Sequence, residues 1–137
     1  MSVLKSAALQ EAIYAALSGD AVLSGLVEGR IFDEAVHLDA PGADPGPYVT
    51  LGDETVRDWS AIGLTGGIHE AQVSVHAPTG GFASVKGIAA EVERVLSAPL
   101  APASGRVVTQ VLRGARARRV AEGGRRIDLR FEFRVEA

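Results

Sequence analysis

The chain contains no cysteine. That excludes disulfides, thiolate metal sites and cysteine nucleophiles together, and it suits a cytoplasmic origin. Aromatics are scarce, with one Trp, two Tyr and four Phe in 137 residues, and none falls between Arg106 and Arg126. Lysine is nearly missing too: two stand against twelve arginines. No apolar run approaches the roughly 18–20 residues needed to cross a bilayer, so no membrane-spanning helix is expected. The opening MSVLKSAALQEAIYAALSGD holds a Gln-Glu pair within its apolar stretch, which reads as a helix and not as a signal peptide.

What is present is one domain's worth of ordinary composition. A chain 47% apolar and 23% charged excludes extended disorder and fibrous classes. The net charge of −3 conceals a strong asymmetry. Residues 1–105 carry 13 acidic and 5 basic groups (−8), whereas residues 106–137 carry 4 acidic and 9 basic groups (+5). The total argues against generic nucleic-acid affinity; the split argues for a local basic surface.

The first helix is expected from Ser2 to Ser18. Ser2 is placed to cap it, Leu9, Ile13, Ala16 and Leu17 share one face, and Gly19 is placed to end it. Asp20 is placed to cap a short second piece, Ala21 to Val27, ended by Gly29; Ile31 and Phe32 then suit a short strand. Residues 36–47, VHLDAPGADPGP, hold three prolines, two glycines and two aspartates, which fits neither helix nor central strand. A loop of this length is either functional or a solvated excursion.

Strands follow. PYVTLGDETVRDWS predicts one through Tyr48–Leu51 and another around Thr55–Trp59, and IHEAQVSVHA predicts a third after a Gly63–Gly67 link. Phe82, Val85, Ile88, Ala89, Val92, Val95 and Leu96 form a helical stripe, with Thr79 placed to cap it and Pro99 to stop it. Arg106–Arg113 reads as a strand. A closing hairpin is expected from Arg116–Val120, a turn at Glu122-Gly123-Gly124, and Arg125–Val135, where Ile127, Leu129, Phe131, Phe133 and Val135 alternate strictly with polar residues. The expected fold is α+β: a single domain over 1–137, with a mixed or mostly antiparallel sheet, two main helices packed on it and a C-terminal β-hairpin.

Nothing in this pattern argues for catalysis. His69 and His76 are seven apart and point to opposite faces of a strand, His37 lies in the loop, and no HExxH pattern exists. The pairs Asp33-Glu34 and Asp53-Glu54 diverge on an extended chain, no GxSxG elbow occurs, and TGGFASVKG lacks a phosphate loop's polar groups. No catalytic residue, metal ligand or cofactor is assigned. The arginines carry more. Arg113, Arg116, Arg118 and Arg119 precede the hairpin turn, and Arg125 and Arg126 follow it, so a hairpin brings up to six guanidinium groups near one end of the sheet. Such a patch seeks carboxylates or phosphates. Without interleaved aromatics to stack on bases, an acidic protein surface fits it better than nucleic acid, although a small nucleic-acid-binding protein remains the alternative. A solvated basic edge is the plain reading.

In order, GRIFDEA (Gly29–Ala35), PYVTLGDETVRDWS (Pro47–Ser60), HEAQVSVHAPTGGFASVKGIAAEVERVL (His69–Leu96) and the closing GGRRIDLRFEFRVEA resemble the tail-terminator, or tail-completion, family of long-tailed bacteriophages and gene transfer agents. The resemblance runs from Val3 to Ala137, and PYVTLGDETVRDWS is its most specific piece. One departure is visible: the family often carries a large aromatic where this chain has His76-Ala77-Pro78. The arginine excess suits a GC-rich bacterial genome.

The resemblance implies a non-enzymatic ring, typically of six copies, at the head-proximal end of a tail tube. Such a ring stops tube polymerisation and joins head-completion or stopper proteins, with DNA passing through its lumen without sequence-specific binding. It implies assembly in the bacterial cytoplasm followed by release within a phage-like particle. Charge segregation suits head-to-tail contact, since two different patches of one surface must then be complementary. The candidate assembly interface is Arg113, Arg116, Arg118, Arg119, Arg125 and Arg126, with His37, Asp39 and Asp44 in a loop expected to order on contact. Trp59 is either an interface residue or part of the core.

Overall fold

Leu9, Ile13 and Leu17 recur at helical spacing, and all three are buried on the inner face of helix α1 (Val3–Gly19). The computed structural model describes residues 3–33, 46–60, 62–63 and 65–137. The expected cap, Ser2, and the loop residues His37, Asp39 and Asp44 lie outside the described residues. Helix α2 (Ala21–Val27) begins where the Asp20 carboxylate accepts the Leu23 N–H at 2.9 Å. It ends in a left-handed residue at Glu28 (φ 50), one position before the expected glycine, Gly29 (φ 74).

Strand β1 (Ile31–Phe32) pairs in parallel with β2 (Tyr48–Asp58). The two strands expected between Tyr48 and Trp59 are one. A register shift between Leu51 and Glu54 absorbs Gly52-Asp53 as a bulge, which bends a ladder without ending it. Strand β3 (Gly66–Ala77) starts inside the expected glycine link, helix α3 runs Phe82–Ser97, and β4 (Arg106–Arg119) and β5 (Arg125–Glu136) form the closing hairpin. The pieces Arg106–Arg113 and Arg116–Val120 join into the single strand β4, with shifts at Val107/Thr109 and Leu112/Gly114. A short 3-10 turn, Ala121–Gly123, connects it to β5. Thr79 does not cap α3: the capping position is Gly81, with no side-chain cap bond.

The sheet order is β1-β2-β3-β5-β4, antiparallel throughout except for β1 with β2. The fold is therefore α+β, as expected, with the hairpin at one edge. The core forms between one face of this sheet and the helices. Val85, Ile88, Ala89, Val92, Val95 and Leu96 of α3 are buried against Val73, Val75, Ile127, Leu129, Phe131 and Phe133. Phe82, the first residue of the expected stripe, is only partly buried because it lies at the helix end and packs on the rim of the core.

Candidate assembly surface

Parity along β5 divides the sheet's side chains. Ile127, Leu129, Phe131, Phe133 and Val135 face the helices, so Arg126, Asp128, Arg130, Glu132 and Arg134 face the other way. No helix or strand among the described residues covers that second face. Cross-strand register builds polar rows upon it. Arg118, Arg126, His76 and Tyr48 form one row, and Arg116, Asp128, Ser74 and Thr50 form the next.

Two carboxylates organise the arginines. Asp128 accepts the Ser74 hydroxyl at 2.7 Å and Arg126 Nε at 2.6 Å, and Arg118 Nε lies 3.4 Å away, close enough to attract but off-line for a hydrogen bond. Partial burial opposes its ionisation, yet the Ser74 and Arg126 hydrogen bonds and both guanidinium charges outweigh burial and hold the carboxyl below its ordinary range. Glu132 is gripped by Arg113 through two bonds of 3.1 and 3.2 Å, with Arg134 Nε at 3.4 Å. The Arg113 bond is the chief reason that its carboxyl is also lowered.

The six hairpin arginines therefore do not form one patch. Arg113, Arg116, Arg118 and Arg126 lie on the open face, whereas Arg119 and Arg125, paired with each other in register, lie on the helix side. The reason is the two-residue period of a strand, which sends neighbours such as Arg118 and Arg119 to opposite faces. Arg125 sits 5.0 Å from the Phe82 ring centroid and donates to the Gly123 and Gly124 carbonyls at 2.8 and 3.2 Å. Among the described residues, Arg116 and Arg119 make no ion pair or hydrogen bond, so their charges are uncommitted. Asp128 and Glu132 as organisers, and Arg130 and Arg134 as members of the same face, fall outside the interface expected from the sequence. The alternation in RRIDLRFEFRVE carries that information, because every polar residue in it after Arg125 shares one side.

Trp59 falls between its two expected roles. It is half-buried beyond the end of β2, its N–H donates to the Gly66 carbonyl at 3.0 Å, and the Arg134 guanidinium lies 5.4 Å from its ring centroid. His76 stacks on Tyr48 with centroids 4.5 Å apart and planes 6° apart, and its Nε2 is 2.9 Å from Thr50 Oγ1. Burial, helped by the Arg126 charge, lowers its pKa from 6.5 to about 4.

A stability profile follows from that shift. Between pH 6.5 and 4 the unfolded chain binds a proton at His76 that the folded chain refuses, so stability present above pH 6.5 is lost as pH falls toward 4. The shift sets a ceiling of roughly 3 kcal/mol, and partial solvent access brings the expected loss to about 1–2 kcal/mol. Thermal melts across this range check it. The slope should flatten in a His76→Phe variant, and an unchanged slope there would assign the loss to other groups.

His69 is on the opposite face, as the odd spacing predicts. It is 1% exposed, with Nδ1 2.9 Å from Glu54 Oε1, and the same oxygen accepts the Ser6 hydroxyl at 2.7 Å. Ser, Glu and His here do not make a nucleophile relay, because the hydroxyl donates to the carboxylate and not to the imidazole that would have to take its proton. Among the described residues, no group of three or more His, Asp or Glu side chains is placed to hold a metal ion.

The chain matches the sequence model of a family described as "Tail completion protein gp17" over residues 11–136. Among solved structures, it is similar to a chain from one described as "Virion of native gene transfer agent (GTA) particle". The identity is 41%, the alignment covers 96% of this chain and 97% of that chain, and the TM-score is 0.86. No curated protein matches the chain by sequence.

Proposed function

The chain belongs to the tail completion protein gp17 family, and from that premise we propose that it ends the tail tube of a phage-like particle or gene transfer agent and joins it to the head. It is a structural component of such a tail. Copies form a ring, six by the family resemblance, at the head-proximal end. One face of the ring stops tube polymerisation and the other receives a head-completion or stopper protein, while DNA passes through the lumen without sequence-specific contact. Assembly takes place in the bacterial cytoplasm before particle release.

The observation that carries this reading is the 41% identity, over nearly the full length of both chains, to a chain of a gene transfer agent virion. The charge split supports head-to-tail assembly, since an acidic surface and a basic strand on one molecule favour the register that joins them and penalise others. The rival nucleic-acid reading is weakened by Asp128 and Glu132. They already engage Arg113, Arg118, Arg126 and Arg134, and their own charges repel phosphate.

Reversing the two uncommitted charges tests the proposal. Arg116→Glu sets a carboxylate opposite Asp128 and Arg119→Glu relieves the repulsion between Arg119 and Arg125, so the two changes offset in part and stability should stay within about 1 kcal/mol of the parent, which a urea melt checks. Joined, tailed particles counted by electron microscopy should fall at least about tenfold. Normal numbers of joined particles from this variant would defeat the arginine interface.

A further inference from the structure

The sheet has two open edges. β4 pairs only with β5, so the outer side of Arg106–Arg119 is unpaired. At the opposite end β1 covers only Val49 and Thr50 of β2, and no strand among the described residues pairs with the outer side of its Leu51–Asp58 half. Each edge is a row of backbone donors and acceptors, a ready template for another strand.

Three features fit these edges to each other. The first is direction. β2, β3, β5 and β4 alternate, so β2 and β4 run oppositely. A rotation that carries one copy to the next in a ring preserves this relation, and β4 of one copy meets β2 of its neighbour antiparallel. The second is charge. By register across the sheet, the Gly52-Asp53 bulge lies level with Arg113 and Gly114, which sets an acidic side chain on one edge opposite a basic one on the other. The third is cover. Between α3 and β4 an open groove of about 290 Å³ remains, floored by Ala89, Leu112, Ala115 and Ala117 and flanked by Lys86 and Glu93. In each copy α1 packs near β1, the strand beside β2, so a neighbour docked in this way brings its α1 toward that groove.

We infer that copies of this chain join by pairing β4 of one with the Leu51–Asp58 half of β2 of the next, so that a single sheet continues from subunit to subunit. The inference rests on the proposal that copies form a ring. Such a contact is heterologous, joins two different surfaces and closes when the rotation closes; closure removes both exposed edges at once.

Thr55, Glu70, Glu132 and Val111 occupy one row across the sheet, and Thr55 and Val111 are exposed at its two sides. Within one chain they are three strand spacings apart, about 14 Å, beyond the roughly 7 Å that a disulfide spans between Cα atoms. The natural chain has no cysteine, so oxidation of a Thr55→Cys/Val111→Cys variant links only different copies. Thr109→Cys or Arg113→Cys in place of Val111→Cys allows for a stagger of one step.

The full-length variants, concentrated and oxidised, should give a ladder of covalent multimers on a non-reducing gel, ending at the size of rings seen by electron microscopy. Single variants should give at most dimers. Rings without a ladder in any of the three pairings would overturn edge pairing while leaving the ring itself standing. Absence of both rings and ladder would overturn both. Hydrogen exchange on the unsubstituted protein is independent of variant folding. Amides in Leu51–Asp58 and Arg106–Arg119 should exchange at least about tenfold more slowly in the ring than in the dilute monomer, and equal rates would overturn the pairing.

Discussion

Phe133→Ala is expected to cost the fold about 3–5 kcal/mol, the range for deleting a large buried aromatic. Phe133 is fully buried on β5, an inner strand flanked by β3 and β4, and its ring stacks 6.1 Å from that of Phe131. The rigid ladders on both sides restrict collapse into the space left behind, so the cavity persists and its cost adds to the lost burial. A domain of this size has about 5–15 kcal/mol in total, so the variant would sit near its unfolding threshold and assemble poorly for that reason alone. Urea denaturation measures the loss, and a value below about 1 kcal/mol would mean that the neighbours repack freely.

Gly66→Ala should be nearly as damaging through the opposite fault. A Cβ on Gly66 would lie 2.6 Å from the Val135 carbonyl oxygen and 3.0 Å from Trp59 Cε3, with the Trp59 carbonyl oxygen at 3.3 Å. Two of these three atoms are backbone, on a strand of the ladder and on a residue whose own N–H is bonded to the Gly66 carbonyl, so they cannot move aside cheaply. The expected cost is about 2–4 kcal/mol, at or somewhat above the usual range for overpacking. Trp59 is the sole tryptophan, and its emission should shift as the methyl group pushes the ring outward. Gly87→Ala is the control: its Cβ meets nothing within 4 Å, and alanine favours a helix interior. If both variants unfold at the same urea concentration, close packing does not explain the glycine at 66.

The elements of this fold could be read from the chain wherever one period dominated. Seven apolar positions at helical spacing located α3, and the alternation from Ile127 to Val135 located β5 and its two faces. The breaks were misplaced where Gly and Asp imitate a turn. Gly52-Asp53 and the stretch around Gly114 are bulges inside β2 and β4, and only the partner strand's hydrogen bonds distinguish a bulge from an end.

The candidate surface was partly legible for a related reason. Composition located the arginines on the last hairpin, but it could not say which were already paired. Asp128 and Glu132 meet Arg118 and Arg113 across a strand pair whose register depends on the bulge between Leu112 and Gly114. A slip of one residue would have separated them. The family resemblance reached past that limit to the tail-completion assignment, which the residues alone do not state.

Asp20 serves two partners at once. The oxygen that takes the Leu23 N–H and starts α2 also takes Arg94 Nη2 of α3 at 2.6 Å. A seven-residue helix is far too short to persist alone, so the event that begins α2 is secured by a residue 74 positions away. The two helices should therefore open and close as one cooperative unit, and α2 should not fray on its own like an ordinary surface turn. Amides in the short connection between α1 and β1 should therefore exchange at rates set by the opening of α3, not at the fast rates of a frayed surface turn.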